Sequence, residues 1–297
     1  MMIKPTHSDF LIHWTGNDID KQCPNWYRKQ DVRLNKDIVK PYLERLKFIL
    51  KYGLWMTSGR SYIQFKEQKI KRPFFSRTCF TELKLSDAEA HAQRFGHLGI
   101  GFKRFFLFER LGSPMVYFRP GAHNWFISPL FAGEEIGKGR RTTIALKDYW
   151  ACFLKSMHEK KKRLHQFVAY KQFEESEWRI IWSEEINKKF FQGGSQLFKK
   201  PNEINDKEFK KYIESKPKKP DFLIPLEDPG TTYSRWLAMI IYPSLAVKVA
   251  AEADADIRKE IKRLKPIVKT LDGLSGSASY EKYSKPLEIN LQACRNF

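Results

Sequence analysis

Between residues 173 and 185 the chain reads FEESEWRIIWSEE, and its polar and apolar positions alternate. Ser176, Trp178, Ile180 and Trp182 fall on one side of the alternation, and Glu175, Glu177 and Arg179 fall on the other. A period of two belongs to a β-strand, whose successive side chains point to opposite faces. The stretch therefore predicts a strand with an aromatic face toward a core and two acids and a base in a row on the other face. FLIHWTG (10–16) predicts another strand, running into a turn at Gly-Asn-Asp. Over 39–57, Tyr42, Leu43, Leu46, Ile49 and Leu50 recur at helical spacing, with Pro41 in the first turn and Gly53 as C-terminal cap.

Residues 79–112 predict a strand, a helix capped by Ser86, and a glycine-rich stretch at Gly96, Gly99 and Gly101 that leads into a further strand. PMVYFRPG (114–121), FLIPL (222–226) and LAMIIYPS (237–244) carry strand character, and LAVKVAAEADADIRKEIKRLK (245–265) predicts one strong helix. Residues 143–171 predict a helix bearing Lys160, Lys161, Lys162 and Arg163. Strands and helices mix without regular βαβ alternation, and no internal repeat is visible, which points to an α+β fold. One compact domain is expected over 8–270, with a lysine-laden insertion at 188–219 and a polar tail at 271–297.

Charge changes this picture more than composition does. The 297 residues include 54 Lys and Arg against 34 Asp and Glu, a net charge of +20. Such an excess concentrates anions at the surface, and nucleic acid is the commonest anionic partner. Cys23, Cys79, Cys152 and Cys294 lie far apart with no CxxC, so neither a disulfide framework nor a metal site is expected. MMIKPTHSDF lacks an apolar signal core, and WLAMIIYPSLAV is well short of the roughly 20 apolar residues that span a bilayer. The expectation is a cytoplasmic protein that does not enter the membrane.

Four groups of residues carry candidate chemistry. His13 and Thr15 share one face of the first strand, where they either hold a ligand's hydroxyls through neutral hydrogen bonds or belong to the core. Glu175 and Glu177 have the E-x-E spacing that aligns two carboxylates on one strand face, with Arg179 next in line to hold Glu177 ionised. The bland alternative is a polar sheet face with an ordinary ion pair. GHLGIGF (96–102) fits neither G-x-G-x-x-G nor a P-loop and enters a strand, so close backbone packing accounts better for its glycines. The basic runs at 155–166 and 188–219 include Lys160, Lys161, Lys162, Arg163, Lys199, Lys200, Lys210 and Lys211. Phe190, Phe191, Phe198, Phe209 and Tyr212 are interleaved with the second run, the composition of a surface that tracks phosphates and stacks bases.

Taken in order, IHWTG…LKFILKYGLW, CFTELKLSDAEAHAQRFGHLGIGF, FEESEWRI and LAMIIYPS resemble the AbiGi-type abortive-infection proteins of phage defence, over most of residues 8–260. IHWTG followed by a helix ending ILKYGLW is also similar, more loosely, to the opening of ADP-ribosyltransferase folds, including DNA-targeting toxins. That second resemblance implies a mixed sheet with flanking helices and NAD as substrate, bound in a cleft between strands 10–15 and 173–181. It implies His13 and Thr15 as ribose contacts, Tyr62 and Arg179 beside the cofactor, and Glu177 as catalytic acid accompanied by Glu175, with His13 also among the catalytic residues. No clear Ser-Thr-Ser strand is present in the middle of the chain. Two functions follow: a phage-defence ADP-ribosyltransferase modifying nucleic acid or protein, or a non-catalytic RNA- or protein-binding component of a toxin–antitoxin pair.

Overall fold

The structure is a computed structural model that describes residues 10–22, 26, 36–59, 62–65, 68–71, 75–82, 85–118, 151–156, 158–163, 166–171, 176–182, 197–264 and 286–296. For 36–37, 62–71, 156–171 and 296, where described, the backbone alone is considered. The first part of the chain forms β1 (Phe10–Thr15), α1 (Asn17–Asp20), α2 (Lys36–Tyr52), β2 (Leu54–Met56), β3 (Tyr62–Phe65), β4 (Gln68–Lys71) and β5 (Ser76–Thr81). Next come α3 (Ala88–Phe95), β6 (Leu98–Lys103), α4 (Phe105–Phe108), β7 (Ser113–Pro114) and β8 (Val116–Phe118). Then follow β9 (Leu154–Ser156), β10 (His158–Arg163), β11 (Gln166–Lys171), β12 (Glu177–Trp182) and α5 (Lys207–Glu214). The series closes with β13 (Phe222–Ile224), β14 (Leu237–Tyr242), α6 (Leu245–Ala253), α7 (Ala255–Leu264) and β15 (Leu287–Asn290). The architecture is mixed α and β, with seven helices among the described residues.

The chain's segments group into two compact units, the first from Met1–Leu54, Lys84–Phe106 and Ile224–Phe297, the second from Trp55–Leu83 and Leu107–Leu223. Neither is one contiguous stretch, so no single cut separates them. The first unit holds a mixed sheet in the order β15-β14-β6-β1, antiparallel except for the β14–β15 pair. One core contains Ile12, Trp14, Ala88, Ala92, Met239, Ile241, Ile289 and Leu291. Gly99 and Gly101 lie in β6 at its closest approach to its neighbours: a Cβ on Gly101 would meet Met239 Cγ at 2.2 Å, and one on Gly99 would meet the Trp14 ring at 2.9 Å. Close packing is therefore the role of these two glycines. Gly96 has φ of +114°, a left-handed value that L side chains rarely adopt, and it closes α3.

In the second unit β12 pairs antiparallel with β5 and with β7. The alternation read from FEESEWRIIWSEE is a strand, but all six residues of β12 are buried, so neither face is solvated. Trp178 lies near Phe108, and Trp182 stacks on Phe198 with centroids 4.1 Å apart.

Several sequence expectations change. The basic run 160–163 is not helical: β10 and β11 form an antiparallel hairpin in which Lys160, Lys161, Lys162 and Arg163 face Ala169, Val168, Phe167 and Gln166 in register. Helix α2 begins at Lys36, which places Pro41 inside the helix rather than in its first turn. Ser86 belongs to a 3₁₀ turn over Leu85–Asp87, and Asp87 occupies the cap position of α3. The expected helix over 245–265 is two helices. Asp254 breaks it with extended backbone (φ −80°, ψ 113°), and its carboxylate accepts a hydrogen bond from Ile257 N at 3.0 Å. A short acidic side chain competes in this way for backbone donors and favours helix starts over interiors. Part of the expected polar tail, Leu287–Asn290, returns to the sheet as the parallel partner of β14.

Candidate functional site

Polar groups gather inside each unit. In the second, strand register sets Arg179 of β12 opposite Cys79 of β5, and the period of two brings Glu177 to the same face. Glu177 Oε1 accepts from Arg179 Nε at 2.6 Å, and Oε2 is bonded by Lys155 from β9. Arg179 Nη1 donates to the Cys152 carbonyl at 2.7 Å, and Glu177 N donates to the Tyr117 hydroxyl at 2.9 Å. Glu177 and Arg179 are only 7% and 5% exposed. Burial works against the charged form of Glu177, but Arg179 and Lys155 outweigh it and hold the carboxyl below its ordinary range. Burial and the Glu177 charge push the Cys79 thiol up to about 11. The group is thus a buried carboxylate with both oxygens engaged by cations and a protonated thiol alongside. Such a carboxylate is a weak proton acceptor and a fixed negative charge.

In the first unit, the turn at Gly16 delivers α1, whose Asp18 and Asp20 point into a second network. The Asp20 carboxylate accepts from Trp26 Nε1 at 2.8 Å and from the Tyr42 hydroxyl of α2. Its Oδ2 lies 2.7 Å from His97 Nδ1. Arg45, one helical turn after Tyr42, donates to Asp18 Oδ2 at 2.7 Å and to Thr15 Oγ1 at 2.8 Å. Burial and then the Asp20 charge raise the Tyr42 phenol well above its ordinary value.

The predicted residues are distributed as follows. His13, half-buried, and Thr15 share a face of β1 in the first unit, where the Thr15 hydroxyl is engaged by Arg45. Glu177 and Arg179 are joined in the second unit. Tyr62 starts β3, but its side chain lies outside the described residues, as does the whole of Glu175. Lys199, Lys200, Lys210 and Lys211 are exposed. Among the interleaved aromatics, Phe198, Phe209 and Tyr212 are 6%, 0% and 6% exposed, which removes them as base-stacking groups. They are the inner side of the lysine-bearing segment. Phe190 and Phe191 lie outside the described residues.

The sequence reading missed Asp20, Tyr42, Arg45, His97, Lys155 and Cys79. Tyr42 and Arg45 are three apart on one helix, a spacing that marks neighbours on its surface. It also missed Phe105, which is 57% exposed and stacks on Trp236 with centroids 5.1 Å apart. Arg235 lies over that Trp236 ring at 5.0 Å, and its Nε is held 2.7 Å from the buried Asp228. No group of three or more His, Cys, Asp or Glu that could hold a metal ion occurs among the described residues. No helix among them is long and apolar enough to cross a membrane. No protein-family model, curated protein or solved structure matches the chain.

Proposed function

We propose that this chain is a nucleic-acid-binding protein, the non-catalytic of the two functions the sequence leaves open, working in phage defence as the abortive-infection resemblance implies. The carrying observation is the segment 197–219. Its buried Phe198, Phe209, Tyr212 and Ile213 fix it to the second unit, while Lys199, Lys200, Lys207, Lys210, Lys211, Lys218 and Lys219 stay exposed. Lysines on an ordered support meet phosphates without first losing the freedom of a mobile loop. Separately, in the first unit, Phe105 with Trp236 and Arg235 beside it is an exposed ring of the kind that stacks on bases.

The test is oligonucleotide binding at several salt concentrations, with a variant in which Lys199, Lys200, Lys210 and Lys211 are all changed to Gln. Binding should weaken steeply with salt, and the variant should bind ~10-fold or more weakly with a shallower slope. Equal binding by variant and wild type removes the proposal. In cells, loss of protection against phage by the same variant would tie binding to defence.

One observation keeps NAD-dependent ADP-ribosyl transfer as a second reading. Glu177 is held ionised, the state needed to stabilise an oxocarbenium-like transition state. Nicotinamide release from NAD, measured with and without nucleic acid, decides it; no release under either condition ends that reading.

A further inference from the structure

A stacked set of side chains in the first unit reaches solvent at Phe105. Phe105 follows β6 and Trp236 precedes β14, and the two strands pair with Phe102 opposite Leu237. The Lys103 N–H donates to the Trp236 carbonyl at 2.8 Å and ties the two segments together at the strand ends. Phe106 is fully buried and stacks on Phe102 with centroids 4.0 Å apart, which fixes the backbone that carries Phe105. Phe105 itself is exposed and lies 5.1 Å from Trp236, inclined by 28°. A lone exposed ring would carry no message. This one continues a series, because the Arg235 guanidinium lies 5.0 Å from the centre of the Trp236 ring.

Arg235 is held there by a buried charge. The Asp228 carboxylate, 1% exposed, accepts from Arg235 N at 3.1 Å and from Arg235 Nε at 2.7 Å. The turn carrying Asp228 closes without that carboxylate: Asp228 N donates to the Tyr233 carbonyl at 2.8 Å, and Thr231 N donates to the Asp228 carbonyl at 3.0 Å. Burying a carboxylate is costly, and an ion pair with an arginine whose side chain is 39% exposed returns little stability. What the pair provides is orientation, a guanidinium plane fixed against an indole ring.

We propose that Phe105, backed by Trp236 and Arg235, stacks an unpaired base of a single-stranded nucleic acid. The inference rests on the nucleic-acid reading above and adds the form of the ligand. A duplex keeps its base faces stacked on one another, whereas a single strand offers them to aromatic rings and arginine planes. Charge selects the same occupant. Lys103 and Arg104 directly precede Phe105, and Arg235 lies beside Trp236, so the surroundings of the ring are cationic. They attract a polyanion and repel a second copy of a chain of net charge +20.

Two single-stranded oligonucleotides of equal length, one with bases and one wholly abasic, carry the same phosphates, so the ratio of their affinities for the full chain reads stacking. At one salt concentration the wild type should bind the base-bearing strand about 10-fold more tightly than the abasic one. Phe105 is exposed, so Phe105→Leu should melt as wild type while bringing the ratio close to one, and Phe105→Trp should restore it. The variant with Lys199, Lys200, Lys210 and Lys211 changed to Gln should weaken both strands alike and leave the ratio as it is. A wild-type ratio near one, or one that Phe105→Leu does not lower, overturns the platform and leaves the lysine surface standing. A lowered ratio with binding untouched by the lysine changes keeps the platform and removes the lysine surface. Equal weakening of single strand and duplex by Phe105→Leu overturns the selection for unpaired bases. Loss of self-association in Phe105→Leu, seen by sedimentation with oligonucleotide binding intact, overturns the platform in favour of an interface between copies.

Discussion

Glu177 and Arg179 were legible as a pair from their spacing, but their burial was not. The alternation in FEESEWRIIWSEE implies one wet face, whereas β12 lies between two neighbouring strands and is covered on both sides. Lys155, which completes the ion cluster, lies 22 residues away and carries no local signal. The energetic consequence is large. An isosteric Glu177→Gln would be harmless on a solvated face; here it leaves the buried Arg179 charge uncompensated and should cost on the order of 3–5 kcal/mol in urea unfolding. The pH dependence has a definite sign. The folded-state carboxyl is depressed below an unfolded value of about 4.3, so its contribution is complete above that pH and fades as the pH falls through it. Wild-type stability should therefore drop on acidification below about pH 4.3, and Glu177→Gln should flatten that drop. Trp178 is simpler: its burial was expected from the alternation, and it is 8% exposed with Nε1 donating to Glu82 Oε2 at 2.9 Å. Trp178→Ala should cost about 3–5 kcal/mol, measured the same way.

Elements were easiest to read where the apolar period was sustained, as in β1, α2, β6 and β14. They were missed where one polar residue overrode the pattern or where charge hid it. Asp254 interrupts a run of good helix formers that otherwise continues through Lys265. Its cap predicts that Asp254→Ala destabilises the chain by about 1 kcal/mol in thermal or urea unfolding, because Ile257 N loses its acceptor. The run HEKKKR has no apolar residue to set a period of two, so its strand character becomes apparent only through pairing with QFVAYK. Helix α5 shows the converse. Its aromatics were read with its lysines as one binding surface, yet a helix sends residues at spacing three and four to one side, and here Phe209, Tyr212 and Ile213 face inward. The two roles separate experimentally. Phe209→Ala should cost about 3–5 kcal/mol and weaken oligonucleotide binding only near its melting range, whereas Lys210→Gln should leave stability within about 0.5 kcal/mol and weaken binding at every temperature.

At the scale of the whole chain, charge was legible and division into units was not. Net charge is a sum over the sequence, whereas the units interleave segments as far apart as Phe10–Thr15 and Leu287–Asn290. A chain of +20 should show nucleic-acid affinity with a log–log salt slope of about −0.7 per neutralised phosphate on single strands, so the four-lysine variant should reduce the slope by up to about 3. The interleaving also orders events during synthesis. Strand β14 has β6 on one side as soon as it leaves the ribosome, but its other edge pairs, among the described residues, with β15, whose Glu288 receives the Tyr242 hydroxyl at 2.6 Å and Arg258 at 2.7 Å. Until residues 287–290 have been translated, the nascent chain presents a bare strand of Leu-Ala-Met-Ile-Ile-Tyr, a ready template for pairing with another chain. Slow translation or a stop codon placed before Leu287 should accordingly yield a product that calls on holdase chaperones or collects in inclusion bodies.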